Sequence, residues 1–157
     1  MAYQKLQASR ALEVIPSDTV DIPNPAMLII NSTTTGASAG KLIDSAGDFI
    51  NKGVKVGDIV YGYATSAVAA TVTAVDSATQ LSVSTAVATT TAYKIFSDET
   101  HNNGCVLYVG AAGDLKVTTA GGDDVTFTGI LAGSFIPVQV LKVFATPTPA
   151  ADIIALW

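Results

Sequence analysis

The sequence predicts an all-β protein: a small antiparallel β-sandwich or barrel formed by the two ends of the chain, with a small SH3-like β module inserted between them. Three observations carry this. Helical periodicity is nearly absent, whereas apolar residues recur with period two in short runs bounded by Gly, Pro, Asn and Asp. The 13 glycines and 6 prolines punctuate those runs throughout. Finally, texture changes at Ser32 and again near Glu99, and the segments on either side of that interval resemble each other in character.

Taken in order, "TVDIP" (19–23) and "AMLIIN" (26–31) are the first strands, separated by a Pro-Asn-Pro turn whose prolines exclude a helix. "STTTGASAGK" (32–41) is a polar connector into the inserted module. Within the module strands are expected at 58–63, 70–75, 80–84 and 92–96, with one helical turn at 48–52 and a turn at 76–79, where Asp76 and Ser77 can satisfy loop amides. "KVGDIVYGYA" (55–64) feeds a Gly-Asp corner into an apolar strand, in the manner of small SH3-like barrels. "CVLYVG" (105–110) is apolar on both faces, as a strand covered on both sides would be. "DLKVTT" (114–119) and "VTFTGI" (125–130) alternate, joined by an "AGGDD" hairpin turn in which glycine supplies a positive φ. "IPVQVLKVFAT" (136–146) is a longer strand, apolar on both faces, and "DIIALW" (152–157) closes the chain. The expected domains are therefore 1–31 with 100–157, and 32–99.

Composition narrows the function. The chain has 157 residues, enough to bury a core without disulfide or metal staples, so no cofactor is expected. Only 13% of residues are charged, against roughly 25% in an average domain. The apolar excess then implies either a large core or surfaces covered by other copies; the second is the expectation. Net charge is -5 with eight scattered basic residues, which argues against nucleic-acid binding. The longest aliphatic run, 26–30, is far short of the roughly 20 residues of a membrane span, and no signal-peptide run follows the start. Cytoplasmic synthesis without membrane insertion is expected. Cys105, the single cysteine, reads as a small buried hydrophobe.

The residue types that carry chemistry read as scaffolding. "GAAGDLK" (110–116) lacks the spacing and the following helix of a phosphate loop. "GGDD" (121–124) superficially matches the metal-binding hairpin of viral RNA polymerases, yet no second carboxylate strand or basic channel accompanies it. Facing acids of the glycosidase kind would fall to Asp123 and Asp124. Asp44, Asp48 and Asp58 lack calcium-loop spacing, so no metal site is expected. Asp18 reads as a turn cap. His101, the only histidine, lies in an expected exposed loop, and no nucleophile elbow is present. "NST" at Asn31 matches a glycosylation pattern without a secretory context. Tyr61, Tyr63, Tyr93, Phe96 and Trp157 could line a glycan groove, but aromatics at strand positions are more often core or contact residues.

The segment 107–157 resembles the C-terminal part of the head-spike base proteins of gene transfer agents and related tailed phages. The carriers are "YVG-x-x-GDL-x-V", "GGD-x-VTF", "AG-x-x-x-P", a long V-x-V strand, and "A-x-x-I-x-AL" ending on an aromatic. "IPSDTVDIPNP" (15–25) is similar to the segment that precedes the YVG strand, so about half the chain is covered. The inserted "LIDS-x-x-DF" and "G-V-x-x-GD-x-V" stretches look like modules found within assorted phage structural proteins. The resemblance implies a non-enzymatic virion protein: a capsid decoration, cement or head-spike base protein on the capsid surface. Its partners would be further copies of itself, as trimer or pentamer, the major capsid protein, and a spike or fibre protein. The insertion, which could project outward as the decoration itself, favours a self-contained cement or decoration protein. The expected subunit contacts are Ile136, Val138, Val140, Val143, Phe144, Ile153, Ile154, Leu156 and Trp157. The rival expectation is a tail-fibre or receptor-binding module that recognises a host glycan through the aromatics of the insertion.

Overall fold

A computed structural model describes residues 8–99 and 102–157. Among them are twelve β-strands, numbered along the chain, and one three-residue 3-10 turn at Pro25–Met27; no helix is long and apolar enough to cross a membrane. The protein is all-β, as its period-two runs predict. The strands fall into two compact units, one built from Met1–Pro25 with Asn102–Trp157 and the other from Ala26–His101.

The first unit is one antiparallel sheet of six strands in the order β1-β12-β8-β11-β9-β10. Its members are β1 (Ala11–Glu13), β8 (Cys105–Ala111), β9 (Gly113–Thr119), β10 (Asp124–Ile130), β11 (Ser134–Val143) and β12 (Ala151–Leu156). Alternation decides which face is inner: Cys105, Leu107, Val109, Leu115, Val117, Ile153 and Ala155 are all buried. β11 lies between β8 and β9 and pairs with both, with β8 at 134–136 and again at Val140↔Cys105, and with β9 at 140–143. Pro137, which has no N–H to give a ladder, sits in the register break of the β8 pairing between Ile136 and Val140. The hairpin from β9 to β10 closes through Thr119 N–H to Asp123 O and Gly122 N–H to Thr119 O, both 2.9 Å. Gly122 supplies the positive φ (90°) that this turn requires.

The expected strand at 19–23 does not form a ladder. Ile22 N–H bonds Leu141 O, and Val14 and Ser17 make single bonds to Ile153 and Val143, so 14–22 is a strap, bent at Asp18 and Thr19. Its Val14, Ile15, Val20 and Ile22 are nonetheless buried. Alternation there reports burial of one side, which a strap satisfies as well as a strand.

The second unit contains β2 (Leu28–Thr33), β3 (Lys41–Ile43), β4 (Ile59–Tyr63), β5 (Val68–Val75), β6 (Gln80–Val83) and β7 (Ala92–Phe96). They form an antiparallel sheet in the order β2-β7-β4-β5-β6-β3. Just past β2, Thr35 N–H bonds Ile43 O at 2.8 Å and Gly36 bridges Ile43. The two edge strands thus approach each other, and the sheet curls into a small barrel-like form around Ile30, Leu42, Phe49, Val60, Val72, Leu81, Tyr93 and Ile95. The loop between β3 and β4 plugs this core with Phe49. A Cβ on Gly47 would lie 2.6 Å from the Phe49 ring, so the ring needs glycine beneath it. The turn expected at 48–52 is present, with Lys52 N–H bonding Asp48 O.

The division between units differs from the expected one at its N-terminal side. The strand taken to belong with the chain ends is β2, and it pairs with β7 from Leu28↔Phe96 to Thr33↔Ala92. Its Ile30 is part of the second unit's core.

Candidate interaction surface

In an antiparallel sheet, residues directly opposite share a face, so register alone maps the outer face of the first unit. One row runs Ala11, Leu156, Val106; the next runs Glu13, Ile154, Tyr108, Phe135. Tyr108 and Phe135 meet with ring centroids 5.3 Å apart. Val106, Tyr108, Ile154 and Leu156 are half-buried, whereas Phe135 is 60% exposed and Leu131, at the turn before β11, 72%. "CVLYVG" is therefore fully covered on one face only. Completing the cover of a half-buried side chain of this size is worth about 1 kcal/mol. Beside these rows, Lys116 and Lys142 place their ammonium groups 4.3 and 4.7 Å from the Phe144 ring centroid. The outer face is thus apolar at one end and amphipathic-cationic at the other.

The nine expected contact residues separate into two groups. Ile136, Val140, Val143 and Ile153 are buried within the chain. Val138, Phe144, Ile154, Leu156 and Trp157 are half-buried and retain surface to offer. Trp157 is also tied down: its backbone N–H bonds Arg10 O at 3.0 Å, and its indole N–H donates to Asn102 Oδ1 at 3.1 Å. Tyr108 and Phe135, the aromatic pair of the surface, were not among the expected contacts; the period-two pattern through "CVLYVG" and "SFIPV" marks them once the inner face is known.

The candidate catalytic and metal-binding residues are dispersed among structural tasks. Asp44 is 1% exposed; it accepts from Tyr93 Oη and Ser32 Oγ, both at 2.7 Å, and from Ala46 N–H at 2.9 Å. Burial alone pushes its carboxyl up, but these three bonds and the charge of Lys52 outweigh that and hold it below the usual aspartate value. The same burial and the same carboxylate push the Tyr93 phenol well above its usual value. Asp58, also buried, accepts from the amides of Lys55 and Asp98. Asp48 is exposed and accepts from Asn51. Asp124 accepts from the Thr118 hydroxyl at 2.7 Å, and Asp114 from the Gly129 amide at 2.8 Å. Among the described residues no three His, Cys, Asp or Glu side chains come together as a metal site.

Asp18 is a cap, though not of its own turn. Its Oδ1 accepts from the amides of Ala145 and Thr146 after β11, while Ser17 Oγ accepts from Thr19 and Val20 locally. Cys105 is buried, its thiol pushed up to about 12 by that burial, and it donates to Val140 O. Asn31 is exposed on β2 opposite Lys94. His101 lies outside the described residues. Of the aromatics considered for a glycan groove, Tyr61, Tyr93 and Phe96 are buried and Tyr63 and Trp157 half-buried. No protein-family model, curated protein or solved structure matches the chain.

Proposed function

We propose that this chain is a non-enzymatic virion component, a capsid decoration, cement or head-spike base protein of a tailed phage or gene transfer agent. In this reading it is made in the host cytoplasm and assembles as a trimer or pentamer on the major capsid protein, where it stabilises the shell or seats a spike or fibre. The observation that carries the reading is the apolar outer face of the first unit: Val106, Tyr108, Phe135, Ile154 and Leu156 form adjacent rows that the chain covers only in part. Such a patch on a sparsely charged protein is what a surface destined for assembly looks like. A symmetric ring repeats each weak contact, so that modest patches sum to firm attachment. The ordered motifs of 107–157 support the same reading. The burial of Tyr61, Tyr93 and Phe96 leaves the glycan-groove alternative without an observation in its favour.

The test is native mass spectrometry of the purified chain, with antibody labelling of particles by electron microscopy. The expected result is a discrete multiple of 16.0 kDa, label on capsid surfaces, and a lowered assembly mass for Leu156→Asp with unchanged circular dichroism. A wild-type chain that stays monomeric and labels no particle overturns the reading.

A further inference from the structure

β10 is the outermost strand of the first unit's sheet and pairs only with β9. The Thr119 to Asp123 closing bond sets the parity of that ladder. Residues 125 and 127 exchange bonds with 117 and 115, so the N–H and C=O groups of Asp124 and Thr126 point away from β9. Natural sheets blunt such an edge with lysine, proline, a bulge or a covering segment. Asp124 charges one end of this edge, but 125–127 carries neither charge nor proline, and its register shift begins only after Phe127. Nor is it covered: Asp124, Val125 and Thr126 are exposed and Phe127 half-buried. Val125 and Phe127 stand in register with Val117 and Leu115, both fully buried, so an apolar row leaves the core and ends in the open.

We propose that this edge is completed by β10 of a second copy, running antiparallel about a two-fold axis through Thr126. Charge selects the direction. Parallel pairing would set Asp124 beside Asp124. Antiparallel pairing on this axis places each Asp124 opposite Thr128, four residues or about 14 Å from its counterpart, beyond the Debye length of about 8 Å at physiological salt. Side chains select the register: Val125 then faces Phe127 on both sides of the axis, a favoured β-branched–aromatic pair, and Thr126 faces Thr126. A one-residue slip would bring outward-pointing groups against inward-pointing ones and turn the apolar side chains to the wrong face. A two-residue slip toward the turn would bring the two Asp124 side chains to two residues or about 7 Å apart along the strands, within that Debye length, and one the other way would pair Asp124 with Ile130 and Val125 with Gly129, carrying the whole ladder into the segment where the register with β9 shifts. The contact is isologous and self-complementary, and with so short a ladder the free dimer is weak. It does not rest on the virion reading and uses none of the outer-face residues invoked there.

The experiment is analytical ultracentrifugation of the full chain up to millimolar concentration, with Thr126→Lys and Thr126→Glu measured separately and as an equimolar mixture. Position 126 is solvent-exposed, and circular dichroism verifies the fold of each variant. Each variant sets like charges opposite each other at the axis and weakens dimerisation by about tenfold or more. The mixture pairs Lys with Glu and regains a heterodimer. Leu156→Asp, which strikes the outer face, leaves this dimer in place and so separates the two proposals. A wild type monomeric throughout, single variants that dimerise like wild type, or a mixture no better than its components would each overturn the pairing.

Discussion

The Asp44 carboxylate is held by side chains that are distant in sequence: Ser32 is 12 positions away and Tyr93 is 49. Removing it orphans a buried phenol, so Asp44→Ala is expected to cost roughly 2–4 kcal/mol, measured by urea denaturation of the full chain. Its pH dependence has a definite sign. Because the folded-state value lies below the unfolded one, the carboxylate contributes stability above the ordinary aspartate range near 3.9, and that contribution is lost as pH falls through the folded value. Tyr93 works from the other end: its raised phenol contributes stability below about pH 10 that is lost as pH rises through its folded value. Denaturation midpoints against pH should therefore show an acid limb that flattens in Asp44→Asn and an alkaline limb that flattens in Tyr93→Phe. An acid limb unchanged in Asp44→Asn would remove the carboxylate from this role. None of this network was legible in the sequence. "LIDS" exposes an aspartate to the reader only as a possible ligand, because the partners that make it structural arrive through folding of the barrel.

At the scale of elements, the sequence was readable where alternation was strict and turns were marked. Strands at 59–63, 80–83, 92–96 and 113–119 appear within a residue or so of their expected places, and the Gly-bearing hairpin of β9 and β10 lies where "AGGDD" marks it. The short β1 and β3, three residues each, leave no periodic trace and were not anticipated. A run apolar on both faces was harder to interpret, because sequence does not say whether its second face meets the same chain or another. Ile153 and Leu156 on β12 show the distinction. Ile153 faces the core opposite Val109, while Leu156 lies opposite Val106 on the outer face. Ile153→Asp is expected to destabilise the fold by about 3–5 kcal/mol, since it buries an uncompensated charge. Leu156→Asp should cost roughly 1 kcal/mol or less in stability while changing assembly mass. Equal shifts in denaturation midpoint for the two would place Leu156 in the core after all.

For the whole molecule, the insertion was visible as a change of texture, but its start was placed inside the second unit rather than before it. "AMLIIN" is as apolar as the strands of the other unit, and only the pairing of β2 with β7 assigns it. That assignment has a folding consequence. The second unit is a continuous stretch of chain, Ala26–His101, with its own core and all its sheet neighbours within that stretch. The first is assembled from segments separated by that insertion, so closing it requires a long loop to be drawn in. A fragment of residues 26–101 should consequently fold alone and unfold cooperatively, and calorimetry of the full chain should show a transition that matches it. Removing β2 from the fragment, by starting it at residue 34, takes Ile30 out of the core and leaves β7 with an uncovered edge; that shorter piece should fail to fold. If the shorter fragment is as stable as the longer one, β2 is dispensable to the second unit, and the division before it loses its physical basis.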